Sequence, residues 1–86
     1  MKKISQEWLK SAQDDLKASD ELISNESLTH IVAFHAQQAI EKSLKALIEE
    51  YDLEFKKTHK LIMLFNIVES IIDLQINEDT IIKLDS

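Results

Sequence analysis

The sequence predicts an all-α protein: an antiparallel up-and-down four-helix bundle with a long second helix at its centre. Three observations predict it. No glycine and no proline occurs in the 86 residues, so the usual residues of β-turns and hairpins are missing. Apolar residues recur at three- and four-residue spacing, and strand-like alternation is hard to find. The apolar share, 44%, is enough for the core of one domain over residues 1–86. A core this small is marginal alone, which favours self-association or a partner.

Helix one is expected to start at Ser5 as N-cap, with Glu7 suiting the positive end of the dipole and Ile4 stapled onto Trp8 or Leu9. Its buried stripe reads Leu9, Ala12, Leu16, Ser19 and Ile23, widened by Trp8 and Leu22, with Lys10, Asp14, Lys17 and Glu21 opposite. Ser24-Asn25-Glu26-Ser27 breaks the helix, because short polar side chains compete for backbone hydrogen bonds. Helix two runs from about Ser27 to Tyr51. Apolar residues cover a wide arc of it (Leu28, Val32, Ala36, Ala39, Ile40, Leu44, Leu47, Ile48), as suits a helix with several neighbours. Glu41 and Lys45 form a favourable i,i+4 pair. Asp52 to Lys57 is a polar link. Thr58 then reads as the N-cap of helix three, which continues to about Leu74 with two apolar stripes: Leu61, Leu64, Phe65, Val68 and Ile72, then Ile62, Ile67 and Ile71. Asn77 caps a short fourth helix, with Glu78 and Asp79 in its first turn and Ile81, Ile82 and Leu84 behind. The chain stops at Asp85-Ser86 directly after an apolar turn, which suggests a shortened chain or an edge that another chain covers.

Composition excludes whole classes of chemistry. Without glycine there is no glycine-rich phosphate cradle. Without cysteine there is no disulfide, thiolate zinc site or cysteine nucleophile. All ten basic residues are lysine, with no arginine, against 16 acidic ones; the net charge of -6 argues against binding duplex DNA. No uncharged apolar run approaches the roughly 20 residues of a membrane span. The basic start at Lys2 and Lys3 leads into no apolar segment, so a secretory signal is not expected and a cytoplasmic location is.

Candidate site residues are few. His30 and His35 are five apart, roughly 140° around a helix, and share no face; no metal site and no cofactor is expected. His35, Gln38, Lys42 and Lys45 are spaced 3-4-3 and form one polar line along helix two. Two readings fit this line. It is a solvated face continued by Glu49, or a donor set suited to a phosphate or a nucleotide edge. Lys56-Lys57-Thr58-His59-Lys60 is the one basic cluster, and Thr58, His59 and Lys60 at a helix start suit an anion; alternatively Thr58 is only a cap and His59 packs on helix two. Trp8, Phe34, Phe55 and Phe65 read as core. The acids read as scattered over outer faces, so no catalytic residue is assigned.

Trp8-Leu9-Lys10-Ser11-Ala12-Gln13-Asp14-Asp15-Leu16, then Ala33-Phe34-His35-Ala36-Gln37-Gln38-Ala39-Ile40-Glu41-Lys42-Ser43-Leu44-Lys45-Ala46-Leu47, then Thr58-His59-Lys60-Leu61 resemble the HEPN domain (higher eukaryotes and prokaryotes nucleotide-binding) over about residues 5 to 65. The central stretch is the specific part. The resemblance implies a bundle of four or five helices, commonly a homodimer, often acting with a minimal nucleotidyltransferase as a two-component or toxin-antitoxin module, with nucleotide or RNA as ligand. Many members are metal-independent endoribonucleases using an Arg followed four to six residues later by His. This chain has no arginine, so that signature is absent. The resemblance therefore implies a non-catalytic partner, or a ribonuclease toxin whose catalytic segment lies beyond Ser86. A dimerising bundle without a ligand is the third reading. Gln37, Gln38, Lys42, Lys45, Thr58 and His59 match recurrent polar positions of the family.

Overall fold

The computed structural model describes residues 1–54 and 60–85. It is all-helical over these residues. Four α-helices occur among them: α1 (Lys3–Leu22), α2 (Thr29–Glu50), α3 (Leu61–Glu69) and α4 (Glu78–Asp85), with one 3-10 turn at Glu26–Leu28. The expected Thr58 cap, the Lys56–His59 part of the basic cluster and Phe55 lie outside the described residues, as does the side chain of Leu84.

α1 and α2 lie side by side and antiparallel. Their cross-contacts run in opposite order along the two helices: Lys2 with Glu50, Asp15 with His35, and Ser19 Oγ donating to the Val32 carbonyl at 3.0 Å. The cap of helix one falls three residues earlier than expected. Lys2 takes the cap position in extended backbone without a side-chain cap, and Ser5 sits inside the helix, fully buried. The cause is the end of α2. The Lys2 backbone N–H donates to Glu50 Oε1 at 2.9 Å, and Lys2 Nζ donates to the Glu49 carbonyl at 2.9 Å and pairs with Asp52. A cation thus meets the negative end of a helix dipole and adds a bond to a carbonyl of its last turn. Ser5 Oγ has no hydrogen bond of ordinary geometry, and its hydroxyl, after the Lys2 N–H, helps hold the Glu50 carboxyl below its ordinary value. Ser5→Ala removes a poorly paired buried hydroxyl and improves helix propensity, so a gain of about 1 kcal/mol in urea unfolding is expected.

The break between α1 and α2 falls where expected. Asn25 Oδ1 accepts from the Ser27 N–H at 3.1 Å and from Ser27 Oγ at 2.7 Å, turning the chain. At its far end α2 closes with a Schellman motif: the Leu53 N–H bonds the Ile48 carbonyl at 2.9 Å and the Asp52 N–H the Glu49 carbonyl at 3.3 Å. Asp52 holds the left-handed position, with φ 52°. Glycine usually stands there; Asp tolerates it at about 1 kcal/mol.

The apolar core is offset from the α1–α2 pair. It joins Leu44 and Ile48 of α2, Leu61, Leu64, Phe65 and Val68 of α3, and Ile81 of α4. The first stripe of helix three is therefore core, with Ile72 packed at its margin. In the second stripe Ile62 and Ile67 are half-buried and Ile71 is exposed. α3 ends at Glu69 rather than near Leu74. Ser70 Oγ bonds the Ile67 carbonyl at 2.6 Å, and Asp73 Oδ1 takes the Gln75 N–H at 2.9 Å as Gln75 adopts φ 54°. Local side-chain bonds at Ser70 and Asp73 compete with helix continuation. Asn77 caps α4 as expected, accepting the Asp79 N–H at 2.7 Å.

Two expectations for α1 and α2 are corrected. Leu16 and Ile23 are exposed, and the buried positions of α1 are Ser5, Ala12, Asp15 and Ser19. Phe34 is also exposed, at 56%, while Phe65 is core as expected. The reason is common to both: α1 meets the polar side of α2 instead of an apolar one. Leu16 lines an open apolar groove of about 260 Å³ with Ile40, Leu47, Leu74 and Ile76.

Candidate functional site

The polar line of α2 faces α1. It is neither a solvated face nor an open row of donors. His35, Lys42 and Lys45 are spaced so that their side chains leave α2 on the side where α1 crosses. At the middle of the crossing α1 contributes Asp15, whose side chain is 11% exposed. His35 Nδ1 lies 2.7 Å from Asp15 Oδ1, and Lys42 Nζ donates to Asp15 Oδ2 at 2.7 Å. One carboxylate thus uses both oxygens to hold two residues of α2 that are two turns apart.

Burial pushes the Asp15 carboxyl upward, but the hydrogen bonds from Lys42 and His35, with their charges, outweigh it and hold the group below its ordinary value. Asp15 is therefore ionised at neutral pH, and as an acceptor-only carboxylate it takes the Nδ1–H of His35, so Nε2 is the ring nitrogen turned away from it. The His35 side chain remains 29% exposed. Its ring meets the edge of Phe34, with centroids 5.5 Å apart and planes at 73°.

A turn further on, Lys45 Nζ donates to Glu41 Oε2 at 3.1 Å and stands 5.2 Å from the centre of the Trp8 ring. Both members of the expected i,i+4 pair are buried. Trp8 is half-buried and packs as an aromatic lid over the ammonium. Lys45→Ala removes a buried charge-assisted hydrogen bond to Glu41 together with the ammonium under the Trp8 ring, so it is expected to lower stability by about 2 kcal/mol in urea unfolding. Loss of less than about 0.5 kcal/mol would contradict this role.

Gln38 is half-buried and lies between His35 and Lys42 along the helix. Lys60 stands apart from this group: it is exposed, and its carbonyl accepts the Met63 and Leu64 N–H groups at 3.2 Å each, opening α3. Thr58 and His59 lie outside the described residues. The structure thus gathers His35, Lys42 and Lys45 in one seam and leaves Lys60 out of it.

Asp15 and Glu41 correct the expectation that the acids lie on outer faces. A signal for Asp15 was present: it stands three residues after Ala12 and four before Ser19, on the narrow stripe of small residues through which helices approach. Lys42 pairs with Asp15 and Lys45 with Glu41, so each ammonium of the seam has a carboxylate against it. The ammonium groups of the seam are taken up by carboxylates, which leaves the Nε2 of His35 as its open nitrogen.

The fold and this seam define a small helical module with a polar helix–helix interface. Comparison with models of known protein families matches the chain to the HEPN domain over residues 5–86. The chain belongs to the HEPN domain family. No curated protein and no solved structure matches it. No helix among the described residues is long and apolar enough to cross a membrane, and none of their His, Asp and Glu side chains group in threes that would hold a metal ion.

Proposed function

We propose that this HEPN domain is a binding module that acts through a partner: a cytoplasmic homodimer, built as an antiparallel up-and-down four-helix bundle, that pairs with a minimal nucleotidyltransferase in a two-component system of the toxin-antitoxin kind. The observation that carries the reading is the family match over residues 5–86 in residues that include no arginine. The Arg/His pair of the nuclease members has no arginine to be built from here, while the scaffold of the family is kept. Exposed apolar side chains at Met63, Ile71 and Ile82 support association with a second copy. A bound nucleotide is supported by the exposed Phe34 ring, which offers a stacking surface, beside the Nε2 of His35.

Affinity purification from the native cells, followed by mass spectrometry and light scattering, tests the reading. A co-purifying nucleotidyltransferase and a dimeric mass are expected. Cleavage of single-stranded RNA by the purified chain alone would replace the reading with a nuclease. Recovery of the chain by itself, without measurable nucleotide binding, would leave a structural dimer.

A further inference from the structure

We propose that His35 is a nucleophilic histidine whose Nε2 accepts a phosphoryl group from a small phosphoramidate or acyl phosphate donor, with Asp15 as its positioning residue. The proposal goes beyond the partner reading and does not depend on it.

The seam supplies what such a histidine requires. A nucleophilic imidazole must be neutral, in one tautomer, with the reactive nitrogen open and the other held. Asp15 Oδ1 accepts the Nδ1–H at 2.7 Å, so the proton is held at Nδ1 and Nε2 is the nitrogen presented for attack. Nε2 has no bonded partner among the described residues and is not among the buried polar atoms lacking one. The ring cannot turn freely, because the carboxylate holds one edge and Phe34 stands against it at 73°. Lys42 donates to the other carboxylate oxygen at 2.7 Å, which keeps Asp15 ionised and holds the carboxylate from its second side.

The step balances without a metal or redox partner. The Nε2 lone pair attacks the phosphorus of phosphoramidate, the phosphorus–nitrogen bond breaks, and ammonia leaves. Nδ1 keeps its proton, so the phosphorylated ring is a cation, and it faces the Asp15 carboxylate. An acyl phosphate reacts in the same way with a carboxylate as leaving group. His30 provides an internal reference: it is exposed on the same helix and has no bonded carboxylate among the described residues.

The test incubates the full chain with phosphoramidate at mildly alkaline pH, follows modification by phosphorus NMR, and assigns sites by mass spectrometry under non-acidic conditions. His35 is expected to be modified at Nε2 about tenfold faster than His30. Asp15→Asn, confirmed as helical by circular dichroism, is expected to bring the His35 rate down to that of His30. A His35 rate no greater than the His30 rate overturns the proposal, and so does modification at Nδ1. An undiminished rate in Asp15→Asn overturns the positioning role. The comparison of His35 with His30 in the unaltered chain decides the matter even where the variant fails to fold. Because no partner protein enters the assay, its failure leaves the nucleotidyltransferase reading untouched.

Discussion

Asp15→Ala is expected to lower stability by about 2–3 kcal/mol, a drop in melting temperature of roughly 10–20 °C for a domain this size. Breaking a fully buried ion pair by removing one partner costs about 3–5 kcal/mol; His35 and Lys42 keep 29% and 22% of their side chains exposed, so water recovers part of it. The loss comes chiefly from stranding an ammonium and an imidazole between two helices. Asp15→Leu combined with Lys42→Met is expected to be much closer to the parent, because apolar replacement of a buried pair removes the desolvation cost together with the attraction. Urea unfolding of both variants checks this. Equal stability of Asp15→Ala and the parent would mean that the carboxylate does not hold the seam.

The same carboxylate predicts a pH dependence. Its folded pKa lies below the ordinary value of 3.8. A carboxyl depressed on folding adds stability that is complete above its unfolded pKa and is lost as pH falls through its folded one. Acid unfolding of the parent should therefore steepen as pH drops below 3.8, and Asp15→Asn should flatten that limb. Identical acid limbs would show that the pairing does not persist in solution.

Phe65→Ala is the second large effect, expected to cost about 3–5 kcal/mol. The whole domain has only about 4–13 kcal/mol to lose, from roughly 0.05–0.15 kcal/mol per residue. Phe65 is 4% exposed and shares one cluster with Leu44, Ile48, Leu61, Leu64, Val68 and Ile81, so the cavity opens where α2, α3 and α4 meet. Circular dichroism and urea unfolding should show either a strongly lowered midpoint or a partly unfolded chain at room temperature. Leu16→Ala, an aromatic-free control at a 55% exposed position, should stay within about 0.5 kcal/mol of the parent. If the two variants unfolded alike, the core would lie elsewhere.

Some residues were legible from spacing alone. Leu61, Leu64, Phe65 and Val68 read as a buried stripe because apolar side chains at that spacing have only one face to share, and they are the core. Asn25 and Asn77 read as turn and cap because their short amides reach backbone groups two residues on, and both do so. Leu16 misled for the converse reason. It fits a stripe with Ala12 and Ser19 as well as Asp15 does, and hydropathy prefers Leu. Nothing local to α1 states that the facing surface of α2 carries an imidazole and two ammonium groups, so nothing local shows that the buried partner must be a carboxylate.

The amino-acid sequence by itself determined the helical class, the order of the helices, the apolar face of α3 and the family. These depend on contacts within a few turns, and on what a chain without glycine, proline, cysteine and arginine is unable to build. Only the tertiary structure decided the rotation of α1 about its axis, the burial of Asp15 and Glu41, the exposure of Phe34, and the pairing of the polar line on α2 with carboxylates. The burial of Asp15 depends on charges found across a helix–helix interface, 20 residues away in sequence at His35 and 27 at Lys42. The free energy of pairing charges out of water is set by those neighbours, and not by the residue's own helix.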